Sequence, residues 1–578
     1  MNPQEEDQRH QKLILSQTDR DTLIAIVNGS ELPAQHSIRI DENTKFFQNQ
    51  IARLDDLTPL CTGIAKLLII DTSLTRGDDN PQLIFESMNS TGKELSQADL
   101  VRNFVLMGLE PGLQERLYRE YWRPMELDFG QQAYGEQFDA FMRHFLILKT
   151  GNIPRQDEVY EAFKIYARSA DEATADTEKL IAEIRKFARY FCAMALGKDK
   201  RPKLHKAFQD LRETRVEVAY PFLLELYSDC AEGNLSDDEL LAIVRLIEAY
   251  VFRRAICAIP TNSLNKTFAT FGKALKKDRY LESVIAHFLL LPSYRRFPRD
   301  EEFRREFETR DLYKSRIRTY WLRRLENYRR KEYVSVDEYT IEHIMPQNEN
   351  LSEAWKNELG DEWQRIHETR LHTIGNLTLT GYNSEYSDHS FEKKRDMEGG
   401  FKHSPLKLNQ GLGELERWTE NAINARAEKL SSLATDIWKC PSLDAQTLAA
   451  YKKGPTPKSA YTLHDHPHLI SGKMRSLFDA FRREVLALNP NISEEYLKLY
   501  VAYKAETNFV DVVPQANALR LSLNMKWPEL SDPRGICINV SGKGRWGNGD
   551  VEIKLTEPLD LPYVVGLVRQ SLDLQLGE

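Results

Sequence analysis

The sequence lacks long apolar runs and paired cysteines. None of its 578 residues belongs to a window apolar enough to span a bilayer, and the polar amino terminus is unlike a secretory signal. The six cysteines include no CxxC pair, which argues against a zinc ribbon and against a disulfide scaffold. We therefore expect a cytoplasmic protein that does not enter membranes.

An overall basic charge is also missing. The formal net charge is -8, which argues against nucleic-acid binding by the whole surface. One local stretch differs: residues 295–331 hold fourteen Lys or Arg and seven Asp or Glu, with aromatic residues between them. Such a stretch predicts either a phosphate-binding surface or a solvated pair of amphipathic helices whose aromatics are core. The sequence leaves both readings open.

The length and composition predict an α+β protein of several domains. Hydrophobic residues make up 41% and charged residues 29%, as in ordinary globular proteins. We expect a largely helical N-terminal half over residues 1–235, a second domain over 236–445 and a small α+β module over 461–578. The Pro-, Gly- and Lys-rich stretch within residues 446–460 is typical of a linker.

Several helices are readable in the N-terminal half. Apolar spacing predicts amphipathic helices over residues 178–197 and 204–230. The string "NSTGKELSQADL" predicts a turn followed by a helix, with Ser96 as the N-cap and Asp99 three residues later.

Three pieces of sequence further on have a meaningful order. They are "YTIEHIMPQ" at residues 339–347, "HTIGNLTLTGYN" at 372–383, and a predicted helix over 384–397. The order of strand, long connection, strand and helix is that of a ββα-metal, or HNH (His-Me finger), nuclease domain, here embedded in helices. Each piece alone is ordinary, since a single His in a strand is more often structural.

The residue types suit phosphodiester hydrolysis. A neutral His343 could deprotonate water near pH 7. Glu342 and Asn383 offer the oxygen ligands that Mg²⁺ prefers. Asn376 could hold the loop that carries His343. Alternation places Glu342 and His343 on opposite faces of a regular strand, so they can cooperate only where the strand ends.

These pieces together resemble the nuclease domain of the GmrSD family of modification-dependent restriction enzymes. The shared pattern is EHI-x-PQ, then GNLTL, then an Asn followed by a helix. The resemblance implies a DNA endonuclease with His343 as general base, Asn376 as a supporting residue, and Glu342 and Asn383 as ligands of Mg²⁺ or Mn²⁺. If Asn383 points away, His372 or Asp388 would be considered instead.

The resemblance also implies partners. The expected substrate is double-stranded DNA, including modified phage DNA, as in an anti-phage defence system. The cations expected to contact DNA are Arg329, Arg330, Lys393 and Lys394. Two other interpretations stay open: a non-cutting DNA-binding or regulatory subunit that uses the fold as a scaffold, and a toxin-like nuclease.

The N-terminal half resembles the ParB-related, GmrS-like nucleotide-handling domain of the same family. The residues that match its second signature and would contact nucleotide are Asn89, Asp99, Arg102 and Asn103. The family's upstream DGQQR segment is not found. We therefore expect a partial domain, and either the gene model is truncated or a separate polypeptide carries the DGQQR segment. NTP binding or hydrolysis would need that segment. An oligomer of the protein is also possible.

Residues 461–578 resemble a small uncharacterised domain appended to such proteins. The string "SGKGRWGNGDVEIKL" carries most of the likeness, and its Lys543, Arg545 and Trp546 could contact nucleic acid. A Gly-rich hairpin with a packed Trp is an equal alternative, so we assign no chemistry to this module.

Overall fold

The computed structural model describes residues 15, 17–34, 36–68, 96–107, 109–169, 177–291, 295–452, 461–489, 492–505, 507–542 and 549–576. Four residues of the sequence predictions, Asn89, Lys543, Arg545 and Trp546, lie outside these ranges. The chain divides into two compact units, Met1–Pro81 and Gln82–Glu578.

The first unit is helical in its described part. Its helices are α1 (Gln17–Asn28), α2 (Ile38–Ile51) and α3 (Thr58–Ala65). Ser37 caps α2, because its hydroxyl accepts the backbone N–H of Ile40. The N–H of Ser37 in turn donates to Oγ1 of Thr22 in α1 at 2.8 Å, which joins the two helices.

The second unit begins with a long series of helices. In chain order they are α4 (Gln97–Leu106), α5 (Pro111–Leu117), α6 (Arg123–Phe129), α7 (Gln131–Thr150), α8 (Val159–Ser169), α9 (Thr177–Ala195), α10 (Pro202–Glu213), α11 (Tyr220–Ala231), α12 (Asp237–Ile256), α13 (Asn262–Phe271), α14 (Tyr280–Leu290), α15 (Asp300–Thr309) and α16 (Arg318–Asn327). They are amphipathic, as α9 illustrates by burying Ile181, Ile184 and Ala188.

Helix starts and ends follow local chemistry. The hydroxyl of Ser96 accepts the backbone N–H of Asp99 at 3.1 Å, so the predicted N-cap of α4 is confirmed. The single helix predicted over residues 204–230 is wrong, because α10 and α11 are separate. Arg215 between them has a positive φ of 58°, which no α-helix accommodates, and Pro221 stands in the first turn of α11, where it is tolerated.

A short ribbon of two strands follows the helices. The elements are β1 (Thr340–His343), α17 (Glu353–Leu359), α18 (Trp363–Arg370), β2 (Leu377–Thr380), α19 (Asn383–Tyr386), α20 (Phe391–Asp396), α21 (Glu420–Ile437) and α22 (Ala445–Tyr451). The predicted order of strand, connection, strand and helix is therefore present. The helix predicted over 384–397 is broken between α19 and α20, where Ser387 has a φ of 41°.

Two hydrophobic cores hold this ribbon in place. A large core extends from Ala98 to Trp438 and includes Leu377 and Leu379 of β2. A smaller core contains Ile344 just after β1, together with residues of α17 to α21. The predicted boundary at residues 235/236 lies between α11 and α12, which both contribute to the large core. The division into domains stays a prediction.

The C-terminal module is a separate α+β arrangement. Its elements are α23 (Lys473–Leu488), β3 (Ser493–Tyr496), β4 (Val501–Lys504), β5 (Asn508–Pro514), β6 (Leu519–Leu523), β7 (Ile538–Asn539), β8 (Val551–Leu555) and α24 (Leu561–Leu576). The strands form one antiparallel sheet in the order β3-β4-β5-β6-β8-β7. Phe478, Leu521 and Val564 share its core, so the two helices cover one face. The predicted α+β class is confirmed.

Candidate active site

The ribbon of β1 and β2 places the sequence motif. The strands are antiparallel, with Glu342 opposite Thr378 and His343 opposite Leu377. Directly opposite residues point to the same face, and neighbours along a strand point to opposite faces. β1 ends at His343, and the next N–H, that of Ile344, donates to the backbone oxygen of Asn376 at 3.0 Å. The Glu342 and His343 side chains therefore leave the ribbon on opposite faces.

His343 lies in a cluster of three rings. Its Nε2 is 3.0 Å from Nδ1 of His372, and the ring of Tyr313 meets its edge at a centroid distance of 4.5 Å. Tyr313 also stacks on His372, with an angle of 9° between the ring planes. His343 is only 4% exposed, whereas His372 is half-buried. His372 and Tyr313 thus cover His343 from solvent.

The cluster keeps His343 neutral. Burial, followed by the neighbouring His372, lowers the pKa of His343 to about 3. Burial also lowers the pKa of His372. Only one proton fits between the two facing nitrogens, so one ring nitrogen of the pair is an acceptor. A neutral imidazole is the form that a general base requires.

Asn376 fixes the loop that follows His343. Its Oδ1 accepts the backbone N–H of Met345 at 2.7 Å and the indole N–H of Trp418 at 3.1 Å. Its Nδ2 donates to the carbonyls of Met345 and Leu371, both at 3.0 Å. The side chain is completely buried, so its amide acts on the protein and not on a substrate.

Glu342 is held by a buried lysine on the other face of the ribbon. Nζ of Lys394 donates to Oε1 of Glu342 at 2.6 Å, and it is 3.2 Å from the carbonyls of His343 and Ile344. Burial raises the pKa of Glu342 to about 7, against the effect of the Lys394 ammonium. Burial lowers the pKa of Lys394.

Lys394 requires a correction to the sequence prediction. It was expected to contact DNA phosphates, yet it is fully buried and its ammonium has three protein acceptors. The reason is its place on α20, which buries Phe391 and Lys394 three residues apart. Lys393, one position earlier, is exposed and can still meet a phosphate.

Asn383 lies beside β1 at the start of α19. Its Nδ2 donates to the carbonyl of Ile341 at 3.1 Å, and the side chain is half-buried. A second carboxylate, Asp388, raises the pKa of Glu342 by its charge. No cluster of three or more His, Cys, Asp or Glu side chains suited to a metal is found among the described residues. Glu342 and His343 are the last two residues of β1 and lie on its opposite faces, and their shared role in one site stays a prediction.

A hard divalent cation nevertheless fits the chemistry of the donors. Mg²⁺ keeps several waters and is commonly held by one or two protein oxygens. Glu342 offers a carboxylate and Asn383 an amide oxygen next to the same strand. Lys394 holds one carboxylate oxygen of Glu342, so a cation would share this carboxylate with the ammonium.

The comparisons with known proteins concern this same region. Residues 297–433 match the C-terminal domain family of GmrSD restriction endonucleases. They form a GmrSD-family C-terminal region. This GmrSD-type region contains the whole ribbon, the ring cluster and the buried pair of Lys394 and Glu342. Residues 467–575 match a domain of unknown function, DUF5655, which lies within the predicted C-terminal module.

A curated relative adds no stated activity. An uncharacterized protein of Haemophilus influenzae is 28% identical over 172 residues, which are 30% of this chain and 54% of the relative. The chain thus spans about half the length of the curated relative that it matches.

Most cationic and aromatic side chains of the basic stretch, residues 295–331, make contacts within the protein. Arg323 pairs with Asp210 at 2.7 Å, and Arg324 pairs with Glu248 at 2.9 Å. The aromatic residues of the stretch that are buried in the core are Phe297, Phe303, Phe307, Tyr320 and Trp321. The amphipathic-helix reading therefore holds for most of the stretch. Arg329 and Arg330 differ, since they follow α16 and line a cleft.

The predicted nucleotide residues lie on α4. Asp99 and Arg102 form an ion pair at 3.0 Å, and Arg102 is also 3.6 Å from Glu126. Asn103 is in the same helix, while Asn89 lies outside the described residues. Their role toward nucleotide stays a prediction.

Sequence reasoning missed some residues that build the site. Tyr313 is one of the aromatics of the basic stretch, and the sequence did not indicate that it contacts His343 and His372. Arg426 of α21 was not singled out at all. It is buried, and its guanidinium donates to the carbonyls of Ile374, Gly375, Leu377 and Leu408. No local pattern marks either residue, because their partners are distant in sequence.

Proposed function

We propose that this chain is a DNA endonuclease that hydrolyses phosphodiester bonds with His343 as general base. The observation that carries the proposal is the position of His343 at the end of β1, on a loop fixed by Asn376, inside the matched region. Restriction enzymes act on foreign DNA, so we infer a double-stranded DNA substrate and a role in defence, including against modified DNA.

The proposed chemistry begins at the ring cluster. His343 accepts a proton from the attacking water. Burial keeps the imidazole neutral but also makes it a weak base, so its pKa has to rise toward neutrality when the site opens to substrate. His372 and Tyr313 cover His343, so they must move aside for the water and the phosphate to reach it. His372 is half-buried and can rotate outward without unfolding the ribbon.

A divalent cation has a defined place in this proposal. Bound Mg²⁺ or Mn²⁺ would stabilise the charge that develops on the phosphate and on the leaving oxygen. Glu342 and Asn383 are the residues that would hold it. Lys394 keeps a positive charge beside Glu342 and limits how tightly the carboxylate can bind the cation.

The proposal is tested with purified full-length protein and supercoiled plasmid. We expect nicking or linearisation in Mg²⁺ and none in EDTA. The reaction is run on plain, glucosylated-hydroxymethylated and phosphorothioated DNA, with and without NTP. His343→Ala should abolish cleavage, whereas the matched control His468→Ala, at an exposed histidine of the C-terminal module, should cleave like the parent. Cleavage by His343→Ala would exclude the proposed base.

A second candidate function is a DNA-binding subunit that does not cut. Two observations favour it: His343 is 4% exposed, and the Glu342 carboxylate is paired with a buried ammonium. Such a subunit would bind duplex DNA with no dependence on His343 and would leave every plasmid intact in Mg²⁺. The same experiment therefore separates the two functions.

A further inference from the structure

A basic cleft lies beside the ribbon. It has a volume of about 650 Å³ and lies between the turn after α16 and the segment 401–414. Its charged lining residues are Arg329, Arg330, Lys402, Lys407 and Glu414. The lining thus carries four cations and one carboxylate, and one of the cations, Arg330, also pairs with the buried Glu326. We refer to this feature as the 330 cleft.

Two cations of the 330 cleft, Arg329 and Lys402, differ from most arginines of the basic stretch. Elsewhere in that stretch guanidinium groups form ion pairs with nearby carboxylates, as Arg296 does with Glu302 and Arg323 does with Asp210. At the cleft, the side chains of Arg329 and Lys402 are 72% and 59% exposed. Their nearest carboxylates, Asp436 and Asp396, are at 3.7 and 3.8 Å, too far for a hydrogen bond.

The floor of the 330 cleft is rigid. The buried carboxylate of Glu326 accepts the backbone N–H groups of Lys407 and Leu408, both at 2.8 Å, and pairs with Arg330 at 2.6 Å. Arg330 also donates to the carbonyl of Pro405 at 2.8 Å, while its Nε is buried without a hydrogen-bond partner in the described part of the chain. A buried donor without a partner is costly.

Backbone geometry at Arg329 also belongs to this cleft. Arg329 has a φ of 56°, in the left-handed region that non-glycine residues rarely adopt. This conformation turns the chain so that Arg329 and Arg330 line the same cleft although they are sequence neighbours. Strain of this kind persists where the surrounding structure enforces it, often at binding sites.

The 330 cleft is joined directly to the ribbon. Asn409, which lines it, donates to the carbonyl of Leu379 at 2.9 Å and hydrogen-bonds the hydroxyl of Thr378. Thr378 lies opposite Glu342, so the cleft meets the ribbon on the face that carries Glu342. Leu379 is two residues from Leu377, the partner of His343, or about 7 Å along the strand.

We propose that the 330 cleft binds backbone phosphates of the DNA strand that flank the bond to be cut. This inference rests on the proposed nuclease function and names its substrate-anchoring site. Phosphates on one strand are spaced by about 3.4 Å along the duplex axis, so the roughly 7 Å from Leu379 to Leu377 spans about two phosphates. Clustered, exposed cations on a rigid floor hold a phosphodiester backbone without reading its sequence.

The test measures DNA binding without cleavage. His343→Ala protein is titrated with a short fluorescent duplex at several salt concentrations, alone and with the added double change Arg329→Gln and Lys402→Gln. The matched control carries Arg119→Gln and Arg305→Gln, at two arginines of similar exposure, 64% and 67%, outside the cleft. The four side chains are exposed, so the changes leave the fold intact.

The cleft variant should bind the duplex about tenfold more weakly than the control variant. Its plot of log affinity against log salt should lose about two units of slope. The proposal would be overturned if the two variants had equal affinity and an equal salt dependence of affinity. It would also be overturned if the His343→Ala protein without further changes bound no duplex.

A second arm measures ATP binding to the same proteins. Loss of ATP binding in the cleft variant, with unchanged duplex binding, would assign the cleft to a free nucleotide and overturn the strand proposal. The assay does not depend on cleavage. A weaker affinity of the cleft variant would therefore support DNA binding by the cleft even if His343 proved to have no catalytic role. Conversely, the protein with His343 intact could cleave DNA while the changes Arg329→Gln and Lys402→Gln affect neither binding nor cleavage. That result would reject the proposal for the cleft and leave the nuclease proposal standing.

Discussion

Nζ of Lys394 lies 2.6 Å from Oε1 of Glu342, and both side chains are almost completely buried. A buried ion pair is costly to break because the remaining charge is left without a partner. The pair also closes one face of the four-residue strand that ends at His343. The stability of this part of the protein therefore depends on Lys394, a residue that we expected from the sequence to contact DNA.

We expect Lys394→Met to lower the free energy of unfolding by about 3 kcal/mol, because it leaves the Glu342 carboxyl buried and unpaired. The measurement is urea unfolding followed by tryptophan fluorescence. The control is Lys393→Met, at the exposed neighbour, which should change stability by less than about 0.5 kcal/mol. Equal stability of the two variants would contradict the buried pair.

Changing Glu342 as well should repair part of that loss. The double variant Glu342→Gln with Lys394→Met removes both charges, so the desolvation cost of the unpaired carboxyl disappears. We expect it to be more stable than Lys394→Met alone, measured in the same urea experiment. A double variant less stable than Lys394→Met would show that the two residues act independently.

Asn376→Ala should be strongly destabilising. The substitution leaves the N–H groups of Met345 and Trp418 without the acceptor Oδ1, inside the protein. Each buried unsatisfied donor costs about 1–3 kcal/mol, so we expect a total loss of about 3 kcal/mol. Hydrogen exchange of the Met345 amide should speed up in parallel. A protected Met345 amide in the variant would argue against this role of Asn376.

Acid should destabilise the helical half through His144 of α7. This residue is buried, and burial lowers its pKa to about 3. The unfolded chain takes up a proton below about pH 6.5 while the folded chain does not, so stability falls as pH decreases from 6.5 toward 3. The slope from this residue is about 1.4 kcal/mol per pH unit.

The check is thermal and urea unfolding between pH 7 and pH 4. His144→Phe keeps an aromatic ring between Phe191 and Tyr220 but cannot titrate, so its stability should fall less steeply in acid than that of the parent. His468→Phe, at an exposed position, should keep the parental slope. Identical slopes in all three proteins would contradict the buried neutral imidazole.

Arg426→Met should loosen the loop before β2. The guanidinium donates to four carbonyl oxygens, three of them in residues 374–377, and no side chain of similar length replaces those bonds. We expect a loss of at least about 2 kcal/mol and faster hydrogen exchange around Asn376. Arg417→Met is a control at a more exposed arginine, and it should leave that exchange unchanged.

The local features of the site were predictable, and the distant ones were not. The two strands, the break after His343 and the turn at Asn376 follow from alternation, Pro346 and the GNLTL string. Which of Lys393 and Lys394 faces inward depends on where α20 starts. That start is set by Ser390, whose hydroxyl accepts the backbone N–H of Lys393, and the apolar spacing does not reveal it.

Long-range partners account for the rest. Tyr313 reaches His343 across 30 positions of chain, and Trp418 reaches Asn376 across 42. A single sequence holds no signal for such pairs. In the C-terminal module, the polar residues of β3 do not alternate clearly with apolar ones, so no sequence pattern marks this strand. The assignment as an HNH finger and the roles of the site residues stay predictions.

The ribbon has only four residue pairs, and its two strands are held from both sides. Inserting or deleting one residue within it would exchange the imidazole and the carboxylate between the two faces. The stretch of α17 and α18 pairs with no strand, so it carries no such register constraint, although its Trp355, Leu359 and Ile366 pack in the smaller core. Related chains should therefore vary in length between residues 348 and 370, while the spacing inside β1 and β2 stays constant.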